Sequence, residues 1–168
     1  MVFARFFNKN RKKTSPTEKL DLIGSIIEQE SFNMSYLIVN RLKEDISEDE
    51  STIFGVIAQR ELRTFLTYIF SHYIHNKVEI LRKYIPHEDI DDHIVSYVIN
   101  TFNDGDITEN FDIYSNMGSI DMDLIDTASK VIADSIELHD DVISRFLITK
   151  LLIDSISAMT ETTKKIIG

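Results

Sequence analysis

The chain has no cysteine, which rules out disulfides, thiolate zinc sites, iron–sulfur clusters and cysteine nucleophiles together. It also lacks any apolar run near the roughly 20 residues that a bilayer-crossing helix needs; stretches such as Tyr36–Val39 cover only a few positions. A secretory signal asks for an apolar core of about 7–15 residues after a basic start. Here the short apolar patch Met1–Phe7, carrying Arg5, comes before the basic cluster instead. These absences lead to the expectation of an intracellular, cytoplasmic protein. Proline and glycine are scarce, 2 and 5 among 168 residues, and neither occurs between Val56 and Ile85. Few positions therefore force a helix to stop. With 43% apolar and 27% charged residues, the composition is that of an ordinary folded domain rather than a disordered segment.

Charge is distributed unevenly along the sequence. Residues 1–13 hold Arg5, Lys9, Arg11, Lys12 and Lys13 and no acid, whereas Pro86–Asp141 holds 15 carboxylates and one cation, Lys130. The net charge of −10 thus resides almost entirely in one third of the chain. Such a field repels nucleic acid and membrane phosphate and attracts basic partners.

Helix signals run through most of the sequence. Ser15-Pro16-Thr17-Glu18 combines a hydroxyl N-cap, a proline at the first helical position and a glutamate at the third. Leu20, Leu22, Ile23, Ile26 and Ile27 follow at helical spacing, to about Glu30. Ser31 is placed to cap a second helix carrying Met34, Leu37, Ile38 and Leu42. Ser47-Glu48-Asp49-Glu50 is another capping box, opening one long helix or two abutting ones with Ile53, Ile57, Leu62, Phe65, Leu66, Ile69, Phe70 and Tyr73 on one face. The pattern loosens through His72–Asn76, where a kink is expected, and Pro86 ends the element. Glu88, Asp89, Asp91 and Asp92 then fill a first turn, favoured by the helix dipole, ahead of Ile94, Tyr97, Val98 and Phe102.

Periodicity fades from Asn103 to Ser119, which reads as a loop containing Gly105 and Gly118. Ser119 is placed to cap a helix lined by Leu124, Ile125, Ala128, Val131, Ile132 and Ile136. From about His139 to Lys165 a last helix carries Phe146, Leu147, Ile148, Leu151, Leu152, Ile153 and Ile156 around much of its circumference. The expected fold is all-α: a single compact bundle of five to seven helices over residues 15–168, with a central C-terminal helix, preceded by a basic and aromatic tail over residues 1–14.

Several groups of residues invite chemistry and do not complete it. His72 and His75 share a helix face, yet Ser71, Asn76 and Glu79 add no full ligand set, and the Glu-x-x-His pair of carboxylate-bridged di-iron bundles is absent. Asp104-Gly105 and Ile107 stand where an EF-hand loop has its fifth ligand, turn glycine and small apolar residue, so Asn100–Phe111 resembles part of such a loop. Phe102 and Phe111 occupy two ligand positions, and both strong oxygens are missing. Glu137-Leu138-His139-Asp140-Asp141-Val142 resembles the phosphoacceptor box of one class of sensor histidine kinases. The resemblance implies phosphotransfer through His139, although Ile136 stands where a basic residue is usual. Arg82 and His87 are similar in spacing to a pair in helical toxin ribonucleases, but Pro86 interrupts them and the flanking acids repel RNA.

No metal or cofactor is therefore expected, and no enzymatic activity. The expected function is a protein-interaction module, adaptor, chaperone-like or regulatory, whose acidic face around Glu88, Asp91, Asp92, Asp104, Asp106, Asp121 and Asp123 binds a basic protein partner. The alternatives are phosphotransfer through His139 and peripheral membrane association through residues 1–13. In that segment Phe3, Phe6 and Phe7 with Arg11, Lys12 and Lys13 suit a membrane interface or an acidic protein surface. Direct nucleic-acid binding is not expected. Tyr68, Phe70 and Tyr73, if exposed, would supply a homodimer face.

Overall fold

The computed structural model describes residues 16–42, 47–77, 107–138 and 141–167. Among them there are five α-helices and no strand: α1 (Pro16–Leu42), α2 (Glu48–Lys77), α3 (Ile107–Ser115), α4 (Met122–Ser135) and α5 (Val142–Ile167). The protein is an all-α bundle.

Ser31 does not begin a second helix. It lies inside α1, fully buried, and its hydroxyl donates to the Glu28 carbonyl at 2.9 Å. A serine whose side chain is satisfied by the preceding turn need not terminate a helix, so Leu22 to Leu42 form one continuous rod. The capping box at Ser47 forms as expected: the Glu50 amide donates to Ser47 Oγ at 3.3 Å and the Ser47 amide to Glu50 Oε2 at 3.1 Å. Nothing stops α2 until Lys77, and the stretch His72–Asn76 remains helical. Pro86 and the helix expected after it lie outside the described residues.

The supposed loop between Asn103 and Ser119 contains α3. Its Tyr114 is fully buried, and Phe111, one turn earlier, packs partly buried on the core. The N-cap of α4 is Asp121 rather than Ser119. Asp121 Oδ1 accepts from the Leu124 amide at 3.1 Å, while the Ser119 hydroxyl donates to Oδ2 at 2.6 Å. Helix α4 closes with the Leu138 amide donating to the Ala133 carbonyl at 2.8 Å and the Glu137 amide to Asp134 at 3.2 Å. This is the Schellman arrangement, and it puts Glu137 at a φ of 59°, a left-handed position usually taken by glycine. The next helix starts at Val142, not His139, because Asp141 caps it: the Ile143 amide donates to Asp141 Oδ1 at 3.0 Å, and the Ser144 hydroxyl donates to Oδ2.

One apolar cluster joins all five helices, with Ile27 and Ile38 of α1, Leu62, Phe65 and Leu66 of α2, Tyr114 of α3, Leu124 and Ile132 of α4, and Ile148 and Leu152 of α5. The C-terminal helix packs on α1, α2 and α4, and α2 touches all four other helices. The side of α5 that faces away from the core leaves Val142, Ile143, Phe146 and Ile153 exposed. Tyr68 is buried in the core, where it meets Phe111 and Tyr114 ring to ring, so it provides no homodimer face. The side chains of Phe70 and Tyr73 lie outside the described ones. Among the described residues no helix is long and apolar enough to cross a membrane.

Candidate interaction surface

Of the acidic residues singled out from the sequence, Asp121 and Asp123 are described, and both are exposed at the start of α4. Glu88, Asp91, Asp92, Asp104 and Asp106 lie outside the described residues, as do Phe3, Phe6, Phe7, Arg11, Lys12 and Lys13. The two described acids play different parts. Asp121 is engaged locally: the Ser119 hydroxyl and then the Leu124 amide hold its carboxyl below the usual carboxylate range. Asp123 is free of that duty and begins an outward stripe with Asp126, Lys130 and Asp134, spaced 3, 4 and 4 residues apart on one side of α4. Such spacing aligns side chains along a helix.

Asp126 Oδ1 lies 3.3 Å from the Arg145 guanidinium of α5, with 72% and 37% of the two side chains exposed. A pair this open adds little stability; its consequence is to connect the acidic stripe to the first turns of α5. Val142 lies one turn before Arg145 and Phe146 immediately after it; they are 79% and 71% exposed. The Asp126–Arg145 pair thus joins the acidic stripe of α4 to a part of α5 that carries exposed apolar side chains. Glu109 and Asp112 are exposed on α3, and Glu137 is exposed at the end of α4. The acidic residues were legible as a charge run; the exposure of Phe146 was not, since in the sequence it groups with the apolar residues of the last helix.

Two polar clusters that sequence reasoning missed hold helices together. Glu61 of α2 is buried, accepts a hydrogen bond from Asn110 of α3 and lies 3.8 Å from Arg60. The Tyr114 hydroxyl is buried without a hydrogen-bond partner among the described residues, and burial, reinforced by the charge of Glu61, pushes its pKa far up. Between α1 and α2, Glu28 Oε1 accepts from Arg63 at 2.7 Å and from Gln59 at 3.2 Å. Gln59 also lines the first of the cavities described below, while the Glu61–Asn110 and Glu28–Arg63 contacts each fasten one helix to another.

Concavities among the described residues occur at helix seams. An open groove of about 300 Å³ between α1 and α2 is lined by Phe32, Tyr36 and Val39 on one side and Thr52, Gly55 and Val56 on the other. A smaller one of about 140 Å³ between α1 and α5 is bordered by Ile26, Glu30 and Met159; burial there raises the Glu30 carboxyl pKa. Among the described residues no group of three or more histidine, aspartate or glutamate side chains is arranged to hold a metal. His72 is in ring contact with Tyr68 at 5.9 Å, while His139 and Asp140 lie outside the described residues. Asp141 of the kinase-like box serves as a helix cap, and Phe111 of the EF-hand-like stretch is helical and set edge-on against Tyr68. Compared with protein-family models, with curated proteins and with solved structures, the chain matches none.

Proposed function

We propose that this chain is a non-enzymatic interaction module that binds a basic protein partner through its acidic side. The supporting observation is the Asp126–Arg145 contact at 3.3 Å, which joins the α4 stripe of exposed carboxylates Asp123, Asp126 and Asp134 to the first turns of α5, where Val142, Ile143 and Phe146 are exposed. Carboxylates of one sign accelerate encounter and select the partner's charge. Exposed apolar side chains grouped together supply the burial that keeps a complex formed. A basic surface with an apolar centre is the complement of this arrangement.

The test is affinity capture from the native host with the wild-type chain and with an Asp123→Lys, Asp134→Lys variant, both positions being solvent-exposed. The captured partner should be retained by wild type at low salt, released as ionic strength shortens the Debye length from about 30 Å at 0.01 M to about 10 Å at 0.1 M, and lost to the variant. Equal capture by both proteins, insensitive to salt, would refute the electrostatic reading.

A further inference from the structure

Helices α1 and α5 run antiparallel along their seam. The Ser155 hydroxyl of α5 donates to Met34 Sδ of α1 at 2.7 Å. Further along, toward the end of α5, the cavity of about 140 Å³ sets Ile26 and Glu30 of α1 across from Ala158, Met159 and Thr162 of α5. Its inner wall is apolar, with Ile26 8% and Met159 3% exposed, while Ala158 at the rim is open to solvent.

Glu30 stands in this wall without compensation. It is half-buried and makes no hydrogen bond or ion pair among the described residues, whereas Glu28, two positions earlier, accepts from Arg63 and Gln59. Taking a carboxylate partly out of water without a partner is unfavourable, and burial alone accounts for its raised pKa. A cation beside it would remove that penalty. A metal ion asks for several oxygen ligands, and no group of three or more such side chains is arranged to hold one among the described residues. Size narrows the choice further. At about 30 Å³ for each water-sized group, a cavity of 140 Å³ holds about five non-hydrogen atoms. That is an ammonium on a four-carbon stem; the forked arginine side chain is larger.

We infer that the α1–α5 cavity is a binding site for a primary alkylammonium group, its aliphatic stem against Ile26, Ala158 and Met159 and its charged head on the Glu30 carboxylate. Apolar stem and charged head separate in this way wherever such a chain meets a mixed surface. The group arrives as a free amine or as a lysine side chain of another protein. The inference does not rest on the acidic stripe of α4.

The test is a titration of the full chain with n-butylammonium chloride at constant ionic strength, followed through the methionine methyl signals by NMR. Met159 lines the cavity, whereas Met117 and Met122 stand outside it and serve as internal controls. The Met159 signal should move alone and saturably, with a dissociation constant on the order of 1–10 mM. Two changes remove one charge at nearly constant shape: n-butanol in place of the amine, and Glu30→Gln in place of the carboxylate. Each should weaken binding at least about tenfold. Glu30→Gln should melt no lower than the parent, which separates lost binding from lost folding, and the butanol comparison stands whether or not that variant folds. Nα-acetyl-lysine methylamide distinguishes the sources: binding comparable to butylammonium assigns the site to a lysine side chain, and its exclusion assigns the site to a free amine. A Met159 signal that does not respond to butylammonium, that moves together with Met117 and Met122, that responds equally to butanol, or that responds undiminished in Glu30→Gln overturns the inference.

Discussion

Replacing Tyr114 in two ways tests whether α3 belongs to the cooperative core and what its hydroxyl contributes. The ring is fully buried and meets Phe65 edge-on at 5.4 Å and Tyr68 at 6.1 Å. Tyr114→Ala removes a large buried ring and leaves a cavity, which costs about 3–5 kcal/mol in comparable sites. The hydroxyl is another matter, because it is buried without a hydrogen-bond partner among the described residues. Leaving a buried polar group unsatisfied costs about 1–3 kcal/mol, so Tyr114→Phe should raise stability, by about 1 kcal/mol. The two substitutions also separate at alkaline pH. Burial and the Glu61 charge raise the folded-state pKa above the ordinary tyrosine value of about 10. The contribution is therefore complete below that value and declines as pH rises above it, by about 1.4 kcal/mol per unit. Urea denaturation of the parent and both variants at pH 7, 10 and 11 measures this. The phenylalanine chain should lack this part of the alkaline loss. A Tyr114→Phe chain less stable than the parent by 1 kcal/mol or more, or a Tyr114→Ala chain within 1 kcal/mol of it, would refute the reasoning.

Removing the hydroxyl cap with Ser47→Ala should cost about 1 kcal/mol and fray the start of α2, seen as faster amide exchange in its first turn. Glu137→Gly relieves a left-handed φ at the end of α4 and should stabilise by up to about 1 kcal/mol in thermal unfolding. Asp121→Ala should lower the melting temperature at pH 7 and much less at pH 2. The depressed carboxyl pKa means that this cap stabilises above the ordinary aspartate value of about 3.9 and fades as pH falls through the lower folded-state value. Gly55→Leu should destabilise by about 1–3 kcal/mol in chemical denaturation, because even a Cβ at that position would meet Val39 Cγ2 at 3.3 Å.

The helical character of this chain was readable because helix signals are local. Glu50 reaches Ser47 across one turn, and a proline near the first helical position needs no tertiary partner to act. The misread elements are those in which a local signal had two outcomes. Ser31 can cap a helix or bond back to the turn before it; packing of Ile27, Met34 and Ile38 on the core keeps α1 continuous, and the hydroxyl takes the second course. Ser119 and Asp121 both carry capping oxygens, and the structure gives the amide to the aspartate and the hydroxyl to the aspartate's other oxygen. Helix α3 was hidden because nine residues hold too few turns for a clear period, although Ile107, Phe111 and Tyr114 are spaced by four and three.

The sequence by itself determined the all-α class, the starts of α1 and α2 and the concentration of acid between Pro86 and Asp141, since composition, capping and helical period act over a few residues. Only the tertiary structure decided which apolar residues are hidden. Ile148 and Phe146 read alike in the sequence, yet one is 1% and the other 71% exposed, because burial depends on which side of α5 meets α1, α2 and α4. The same packing left Phe32, Tyr36 and Val56 exposed along a seam while burying Tyr68 and Tyr114. Hydrophobicity is a property of the residue, but contact is a property of the fold.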